Sequence, residues 1–235
     1  MELHVKQIRQ ETPTTISLIF DKPLGFDFTP GQFLRWTFPL SNPDARGNSR
    51  SFSLSSSPTE EFIMMTTRIG PSSLKQSLSA LTPGTVVKAI GPMGKFVLDE
   101  GNSPLVFVSG GVGITPFRSM LKYLIDTKSN RSVTLLYSNK MTEEIIYQKE
   151  LAEWSRGIEN VKIVLTITDS GHIPSGWMGE KGRIDEGMIK KHAADLPHSD
   201  FYACGPPVMV EAMVGLLREM HIDEQRIHAE VFSGY

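Results

Sequence analysis

A phosphate group could bind at three closely spaced glycines: Gly110, Gly111 and Gly113. The four apolar residues 105–108 precede them, as expected for a strand that is buried on both faces of a sheet. Glycine lets the backbone turn tightly, and amide hydrogens at a helix start favour an anion such as a dinucleotide diphosphate. Thr115 suits the N-cap of that helix, and Pro116 suits its first position. Because Pro116 stands where the pattern GxGxxG has its third glycine, the turn alone also fits a simple tight connection.

The cysteine and histidine content argues against metal chemistry within this chain. Cys204 is the one cysteine, so the chain can build neither a disulfide nor a four-thiolate iron-sulfur cluster. The six histidines include no HExxH pattern and no compact cluster with the cysteine. We therefore expect no metal site, and any iron-sulfur cluster in the reaction would belong to a partner.

Length and charge narrow the class of protein further. The 235 residues suffice for two ordinary domains. Lysine and arginine number 24 against 26 acidic residues, so there is no overall basic field to hold nucleic acid or an anionic membrane. No apolar run approaches the roughly 20 residues that span a bilayer, and the start lacks the pattern of a signal peptide. We expect a cytoplasmic monomer.

The elements that must position the turn differ between the two halves of the chain. Residues 1–98 form a predicted domain of short strands separated by Pro/Gly turns, which favours a closed antiparallel barrel. Its expected strands cover residues 3–8, 15–20, 32–38, 51–55, 62–67 and 86–90. One short helix carries Leu74, Leu78 and Leu81 on a shared face, with Ser72 or Ser73 as its cap.

From residue 104 to 235, strands and helices alternate. This alternation predicts a doubly wound parallel sheet in a second domain, after a linker at residues 99–103. After the strand at 105–108, the expected strands cover residues 133–137, 161–167, 201–204 and 227–232. The expected helices include a first one with Phe117 and Met120 on its apolar face, and others near residues 143–154, 185–192 and 207–220.

Four short motifs occur along the chain in an order that is typical of one protein family. They are RSFS at residues 50–53, GGVGITP at 110–116, CGP at 204–206 and EVF at 230–232. Together they resemble the ferredoxin-NADP reductase superfamily over nearly the whole chain, and look closest to bacterial-type flavoprotein reductases without a fused iron-sulfur domain. The resemblance implies a six-stranded antiparallel flavin-binding barrel, followed by a doubly wound parallel-sheet domain for a pyridine nucleotide.

In the first domain, the resemblance implies a flavin site. Its expected cofactor-binding residues are Arg50, Ser51, Phe52, Ser53, Gly70, Ser72 and Ser73. Arg50 would contact the FAD diphosphate opposite the Gly70 turn, and Phe52, where the family commonly has Tyr, would pack on the isoalloxazine. Ser53 would face flavin N5 as a catalytic hydrogen-bond donor. On their own, the same residues also fit a solvated arginine, a core phenylalanine and a serine bonded to backbone.

In the second domain, the resemblance implies a pyridine-nucleotide site. The expected phosphate contacts come from Gly110, Gly111, Gly113 and Thr115, and the nicotinamide pocket is bordered by Cys204, Gly205 and Pro206. Cys204 and Glu230 join Ser53 as expected catalytic residues, although Cys204 also fits a merely buried cysteine. Either Phe232 or Tyr235 would cover the flavin.

Nucleotide preference is expected to depend on the residues after the second strand of the sheet, where a 2′-phosphate requires a cation. Lys140 is the one cation there, and the next strand is followed by Thr168 and Asp169. This pattern favours NADH over NADPH.

The resemblance implies an FAD-dependent NAD(P)H oxidoreductase that passes single electrons to a protein carrier. The carrier would be a separate ferredoxin or flavodoxin, or an iron-sulfur partner subunit, docking on surface cations. Expected contributors to that docking face are Lys6, Arg9, Arg35 and Lys95. Two alternatives stay open: a reductase of free flavin or ferric chelates, and a nucleotide-binding electron-transfer subunit of a larger complex.

Overall fold

The computed structural model describes residues 1–40, 45–70, 72–78, 80–193 and 195–233. The chain divides into two compact units, Met1–Leu98 with Thr115–Thr127, and Asp99–Ile114 with Lys128–Tyr235. The predicted domain ranges 1–98 and 104–235 stay a proposal. The compact units differ from those ranges at one helix, because residues 115–127 pack with the first unit.

The first unit is built on six antiparallel strands. They are β1 (Glu2–Thr12), β2 (Thr15–Asp21), β3 (Phe33–Thr37), β4 (Ser49–Ser53), β5 (Phe62–Arg68) and β6 (Val86–Met93). Their order in the sheet is β4-β3-β6-β1-β2-β5. An isolated antiparallel bridge from Leu54 to Met65 joins the two outermost strands, so the sheet closes on itself as a barrel.

Side-chain alternation explains why these segments form a barrel. On β1, Leu3 and Val5 are buried, while His4 between them and Lys6 after them are exposed. On β3, Leu34 and Trp36 are buried in the same way, and the Trp36 ring lies 5.0 Å from that of Phe20. The apolar face of each strand therefore fills the interior of the unit.

The predicted short helix is α1 (Ser73–Leu78), with Leu74 and Leu78 buried. The Ser72 hydroxyl accepts a hydrogen bond from the Lys75 amide at 3.3 Å. Ser72 rather than Ser73 therefore caps the helix.

The helix that follows the glycine turn is α2 (Ile114–Asp126). A short 3-10 helix, Gly111–Gly113, comes directly before it. The prediction that Thr115 is the N-cap is wrong, because the chain is already helical before Thr115. Thr115 is 1% exposed, and Pro116, predicted for the first position of the helix, is the third residue of α2.

The second unit contains a six-stranded sheet in which every neighbouring pair is parallel. The strands are β7 (Leu105–Gly110), β8 (Val133–Asn139), β9 (Val161–Ile167), β10 (Glu180–Lys181), β11 (Asp200–Gly205) and β12 (Ile227–Val231). The helices are α3 (Gln148–Gly157), α4 (Glu186–His192) and α5 (Pro207–Glu219). The two-residue edge strand β10 was not predicted from the sequence.

One predicted helix is divided in the structure. Residues 143–154 were expected to be continuous, but a 3-10 helix at Thr142–Glu144 is separated from α3. Tyr147 precedes α3 with φ 59° and ψ 26°, a left-handed conformation that interrupts a right-handed helix.

The strand order β10-β9-β8-β7-β11-β12 makes the sheet doubly wound. The chain moves outward from β7 through β8 and β9, then returns to place β11 on the other side of β7. Ligands of open parallel sheets bind outside the carboxyl ends of the strands at such a reversal. Among the residues described, no helix has both the length and the apolar character that crossing a membrane requires.

Candidate functional site

The carboxyl ends of β7 and β11 approach each other through glycines. Gly110 ends β7 and Gly205 ends β11. A Cβ atom added to Gly205 would lie 3.2 Å from the Gly110 carbonyl oxygen, and one added to Gly113 would overlap the Cys204 carbonyl. These two positions are therefore restricted to glycine by backbone packing, which allows the ends of β7 and β11 to approach closely.

Tyr137, which the sequence analysis missed, anchors the glycine turn. Its hydroxyl donates to the Gly111 carbonyl oxygen at 2.9 Å and accepts from the Ile146 amide at 3.3 Å. Its burial within β8 resembles that of any core aromatic residue. The one available signal was a tyrosine in an aliphatic strand, since buried tyrosine hydroxyls require hydrogen-bond partners.

Three polar side chains at the carboxyl ends of the strands carry atoms without a hydrogen-bond partner among the residues described. They are the Ser109 hydroxyl, both amide atoms of Asn139, and Oε2 of Glu230. Buried polar atoms are nearly always hydrogen-bonded in proteins, so such a group requires an explanation. Ser109 and Glu230 are each paired with Cys204 across the sheet and therefore share its face.

Burial governs the protonation of the two predicted catalytic groups on this sheet. Burial raises the pKa of the Cys204 thiol well above its usual value, and the nearby Glu230 carboxylate raises it further. A thiol in that state is a poor nucleophile. Burial also raises the pKa of Glu230 to about 7, so this carboxyl group can hold a proton near neutral pH.

The loops after β8 and β9 are bonded to each other. The Thr168 amide donates to the Asn139 carbonyl oxygen at 3.0 Å, and the Asp169 amide donates to that of Lys140 at 3.1 Å. A hydrogen bond from His172 is the main cause that lowers the pKa of Asp169, with a smaller contribution from the charge of Lys140. The predicted cation Lys140 is therefore close to an ionised carboxylate.

The remaining predicted residues of the second unit lie at the ends of β11 and β12. Pro206 precedes α5 as its N-cap residue. The Phe232 amide donates to the Gly205 carbonyl oxygen at 3.0 Å. Tyr235 lies outside the described residues, so the choice between Phe232 and Tyr235 stays a prediction.

In the first unit, β4 carries the RSFS motif. The Arg50 guanidinium donates to the carbonyl oxygens of Arg46, Gly47 and Ser49 at 2.7, 3.1 and 2.8 Å. These bonds hold the cation near the start of the strand. Phe52 is half-buried with its ring 6.3 Å from that of Phe38, and Ser51, between it and Arg50, is exposed. Ser53, the last residue of the strand, is buried.

The turn at Gly70 brings further cations together. A Cβ atom added to Gly70 would lie 3.1 Å from Lys75 Cδ and 4.0 Å from its Nζ, so the lysine folds over the turn. Burial lowers the pKa of Lys75, and the charges of Arg68 and Arg46 lower it further. Arg50 and Ser72 were predicted as site residues from the sequence, but these three cations, which are separated along the chain, were not.

Two of the four cations predicted for docking are paired with acids. Lys6 Nζ lies 2.8 Å from Asp21 Oδ1, and Arg9 Nε lies 2.6 Å from Glu11 Oε1. Arg35 is exposed on β3, and Lys95 is also exposed. Over the part of the chain that the structure describes, no group of three His, Cys, Asp or Glu side chains is arranged to hold a metal ion.

Comparison with known proteins supports the family that the four motifs indicate. Residues 107–215 match the family model described as the oxidoreductase NAD-binding domain. Ferredoxin-NADP reductase B of Sorangium cellulosum is 28% identical over 243 residues, covering 99% of this chain and 97% of that protein. The family model and this relative support the ferredoxin-NADP reductase superfamily as the family that the chain resembles. The resemblance carried by the four motifs is therefore confirmed.

Other relatives of this chain are longer proteins. The glycine betaine monooxygenase reductase subunit of Pseudomonas aeruginosa (strain UCBPP-PA14) is 30% identical over 223 residues, which cover 93% of this chain. The chain spans 60% of the length of that relative.

Solved structures confirm the predicted fold of a barrel and a doubly wound sheet. The FAD/NAD-binding domain of nitric oxide dioxygenase from Vibrio cholerae O1 biovar El Tor has a TM-score of 0.87 at 24% identity, with 98% of both chains covered. A ferredoxin NADP+ reductase from Neisseria gonorrhoeae, solved with bound FAD and NADP, has a TM-score of 0.79 at 21% identity, with the same coverage.

Proposed function

We propose that this protein is an FAD-dependent NAD(P)H oxidoreductase that accepts hydride from NAD(P)H and delivers single electrons to a protein carrier. The carboxyl edge of the parallel sheet carries this proposal. There, a glycine-rich turn at a chain reversal lies in the same unit as three side chains with buried polar atoms that lack hydrogen-bond partners among the described residues. That combination suits the binding of a dinucleotide.

The pyridine nucleotide would bind to the second unit. The amides of Gly110, Gly111 and Gly113 would meet its diphosphate, as a turn that leads into a helix allows. Ser109, Asn139 and Glu230 supply hydrogen-bonding atoms for its polar groups. The contact predicted for Thr115 remains part of the proposal, although this side chain is buried.

The flavin would bind to the first unit. Arg50 and the cations around the Gly70 turn match the charge of a diphosphate, and Phe52 offers an aromatic surface. Bound FAD supplies the conversion between a two-electron donor and a one-electron acceptor. Ser53 would donate a hydrogen bond where negative charge develops during hydride transfer.

Cys204 and Glu230 would act on the nicotinamide side. The thiol is neutral, so it offers a small, polarisable surface rather than a nucleophile. Glu230 would exchange protons near neutral pH, because its pKa is raised to about 7. Gly205 and Pro206 would border the same pocket.

The neighbourhood of Lys140 favours NADH. A 2′-phosphate requires a cation that is free to pair with it. The charge of Lys140 contributes to the lowered pKa of the Asp169 carboxyl group, so an ionised acid lies near this lysine. This acid would weaken the attraction for a phosphate.

The names of the relatives support a protein acceptor. They include a ferredoxin-NADP reductase, reductase subunits of glycine betaine monooxygenase and a reductase component of propane 2-monooxygenase. A ferredoxin, a flavodoxin or an iron-sulfur partner subunit would fit, and Arg35 and Lys95 are exposed cations available for docking. We further propose a cytoplasmic monomer.

The decisive experiment combines flavin analysis with an acceptor assay. The purified protein should carry about one FAD per chain, and NADH should reduce that flavin without oxygen. Electron transfer to ferredoxin and flavodoxin should then be compared with transfer to free flavin and a ferric chelate. If only the small acceptors are reduced, the carrier assignment fails and the protein is a free flavin or ferric reductase. If added acceptors give no turnover, the chain is a subunit that requires its complex.

A further inference from the structure

The buried pair of Arg118 and Glu60 in the first unit is not used by the proposed function. The Arg118 side chain is 3% exposed and that of Glu60 is 10% exposed. Arg118 Nη1 lies 2.9 Å from Glu60 Oε2, and Arg118 Nη2 lies 3.0 Å from Glu60 Oε1, so the salt bridge is bidentate. Burying such a pair is unfavourable unless further hydrogen bonds complete it. The further hydrogen bonds that Arg118 and Glu60 make therefore indicate which part of the unit this pair holds in place.

The additional hydrogen bonds from α2 are accepted by backbone carbonyl groups of the segment that follows β4. Arg118 Nη1 also donates to the Ser55 carbonyl oxygen at 2.7 Å. The next residue of α2, Ser119, donates its hydroxyl to the Ser56 carbonyl oxygen at 2.6 Å. Helix α2 thus holds two successive carbonyl groups of this segment.

Glu60 and β5 hold the same segment from other directions. The Ser57 amide donates to Glu60 Oε2 at 2.7 Å. The Ser55 amide donates to the Met64 carbonyl oxygen at 2.8 Å, and the Met64 amide donates to the Ser56 hydroxyl at 3.0 Å. Residues 55–57 are fully buried, so water cannot replace a bond that is lost.

The held segment begins two residues after Ser53. We propose that Arg118 is a positioning residue that places the Ser53 hydroxyl for hydride transfer by holding the Ser55 carbonyl group and the Glu60 carboxylate. This inference rests on the proposed function of Ser53. Placement matters because a shift of about 1 Å in a reacting group can slow a reaction about 100-fold.

A double-mutant cycle of Arg118→Lys and Ser53→Ala tests the proposal. Lysine keeps the charge but cannot bind the carboxylate and the carbonyl group together in the same geometry. In anaerobic stopped-flow reduction by saturating NADH, Arg118→Lys should lower the limiting rate by about 10- to 100-fold. FAD content and the Kd for NADH should stay unchanged. In the Ser53→Ala background, Arg118→Lys should have little further effect, because the hydroxyl it positions is absent.

Arg131→Lys in the second unit is the matched control. The Arg131 side chain is 6% exposed and lies 2.9 Å from Asp99 Oδ1. It also donates to the Ser103 carbonyl oxygen at 2.9 Å, so it is, like Arg118, a buried arginine that binds both a carboxylate and a backbone carbonyl group. Its replacement should lower the Tm but leave the limiting rate unchanged in both backgrounds. Glu60→Gln, which keeps the shape of its side chain, should slow the same step and replaces Arg118→Lys in the cycle if that variant does not fold.

The outcomes separate this inference from the proposed function. Equal slowing by Arg118→Lys in the wild-type and Ser53→Ala backgrounds would overturn the positioning role. An unchanged rate in Arg118→Lys or in Ser53→Ala would also overturn it, while reduction of the wild-type flavin would still support the proposed function. Wild-type protein that binds FAD but is not reduced by NADH or NADPH would contradict both.

Discussion

The first unit gathers cationic side chains at its candidate site, whereas the second unit gathers glycines and uncharged polar groups. Arg50, Arg68 and Lys75 in the first unit come from three different elements or turns. In the second unit, Gly113 approaches the backbone of Cys204 and Gly205 where no Cβ atom fits. Both arrangements suit a diphosphate. The first attracts it by charge, and the second by close approach of amide groups.

Binding at the two sites should respond differently to substitution and to salt. Attraction between charges changes gradually with distance and is screened by salt. Close backbone approach depends on the position of each atom, because interiors are tightly packed. Substitutions and salt therefore distinguish the two sites.

The largest effect is expected from Gly113→Ala in the second unit. The added Cβ atom would overlap the Cys204 carbonyl oxygen and lie 2.7 Å from Gly205 Cα. We expect the Kd for NADH to rise about 100-fold. This rise corresponds to a loss of binding free energy near the upper end of the ~1–3 kcal/mol that overpacking typically costs. FAD content should be unchanged. Gly215→Ala is the control, because a Cβ atom there meets open space. Unchanged NADH binding in Gly113→Ala would contradict the close-approach explanation.

Arg50→Ala tests the charged site of the first unit. Loss of its hydrogen bonds to an ionised diphosphate should weaken FAD binding by about 1.5–3 kcal/mol. The measurement is the Kd for FAD by fluorescence titration of the apoprotein. Lys88→Ala on β6 removes another cation of the first unit, one that is exposed and 3.8 Å from Glu2, and should leave FAD binding unchanged. Full retention of FAD in Arg50→Ala would remove this residue from the site.

The raised pKa of Glu230 should make the stability of the second unit depend on pH. Its pKa is raised from 4.5 to about 7, so the folded state holds a proton between these values that the unfolded state releases. Stability should therefore fall as pH rises from about 4.5 to 7, and level off above that range. Glu230→Gln should lack this component, which the difference in Tm between the two proteins across pH measures. A constant Tm difference would show that the pKa of Glu230 is not raised.

The smallest expected effect is a difference in salt dependence. The Debye length falls from about 30 Å at 0.01 M to about 10 Å at 0.1 M ionic strength. Over this range, the Kd for FAD should rise a few-fold, and the Kd for NADH should rise less. Isothermal titration at several salt concentrations would measure both. Equal dependence would remove the electrostatic distinction between the units.

Much of the fold could be predicted because its signals are local. The barrel strands were predicted to within a few residues, since alternating residues such as Leu3 and Val5 define a buried face. The glycine turn after β7 was also predicted from a local signal, because three closely spaced glycines follow an apolar run. The N-cap role of Thr115 was predicted wrongly, because a 3-10 helix before Ile114 moves the helix start. Strand β10 was missed, because two residues are too few for a pattern.

The sequence by itself determined the element types, the order of strands and helices, and the motifs that identify the superfamily. Only the tertiary structure decided which distant side chains meet. It placed Lys75 beside Arg68 and Arg46, and it joined Arg118 to Glu60 across 58 positions of sequence. It also buried the side-chain amide of Asn139 without a hydrogen-bond partner among the described residues. The physical reason is that periodicity reports whether a side chain is buried, whereas the partner of a buried charge depends on how separate elements pack.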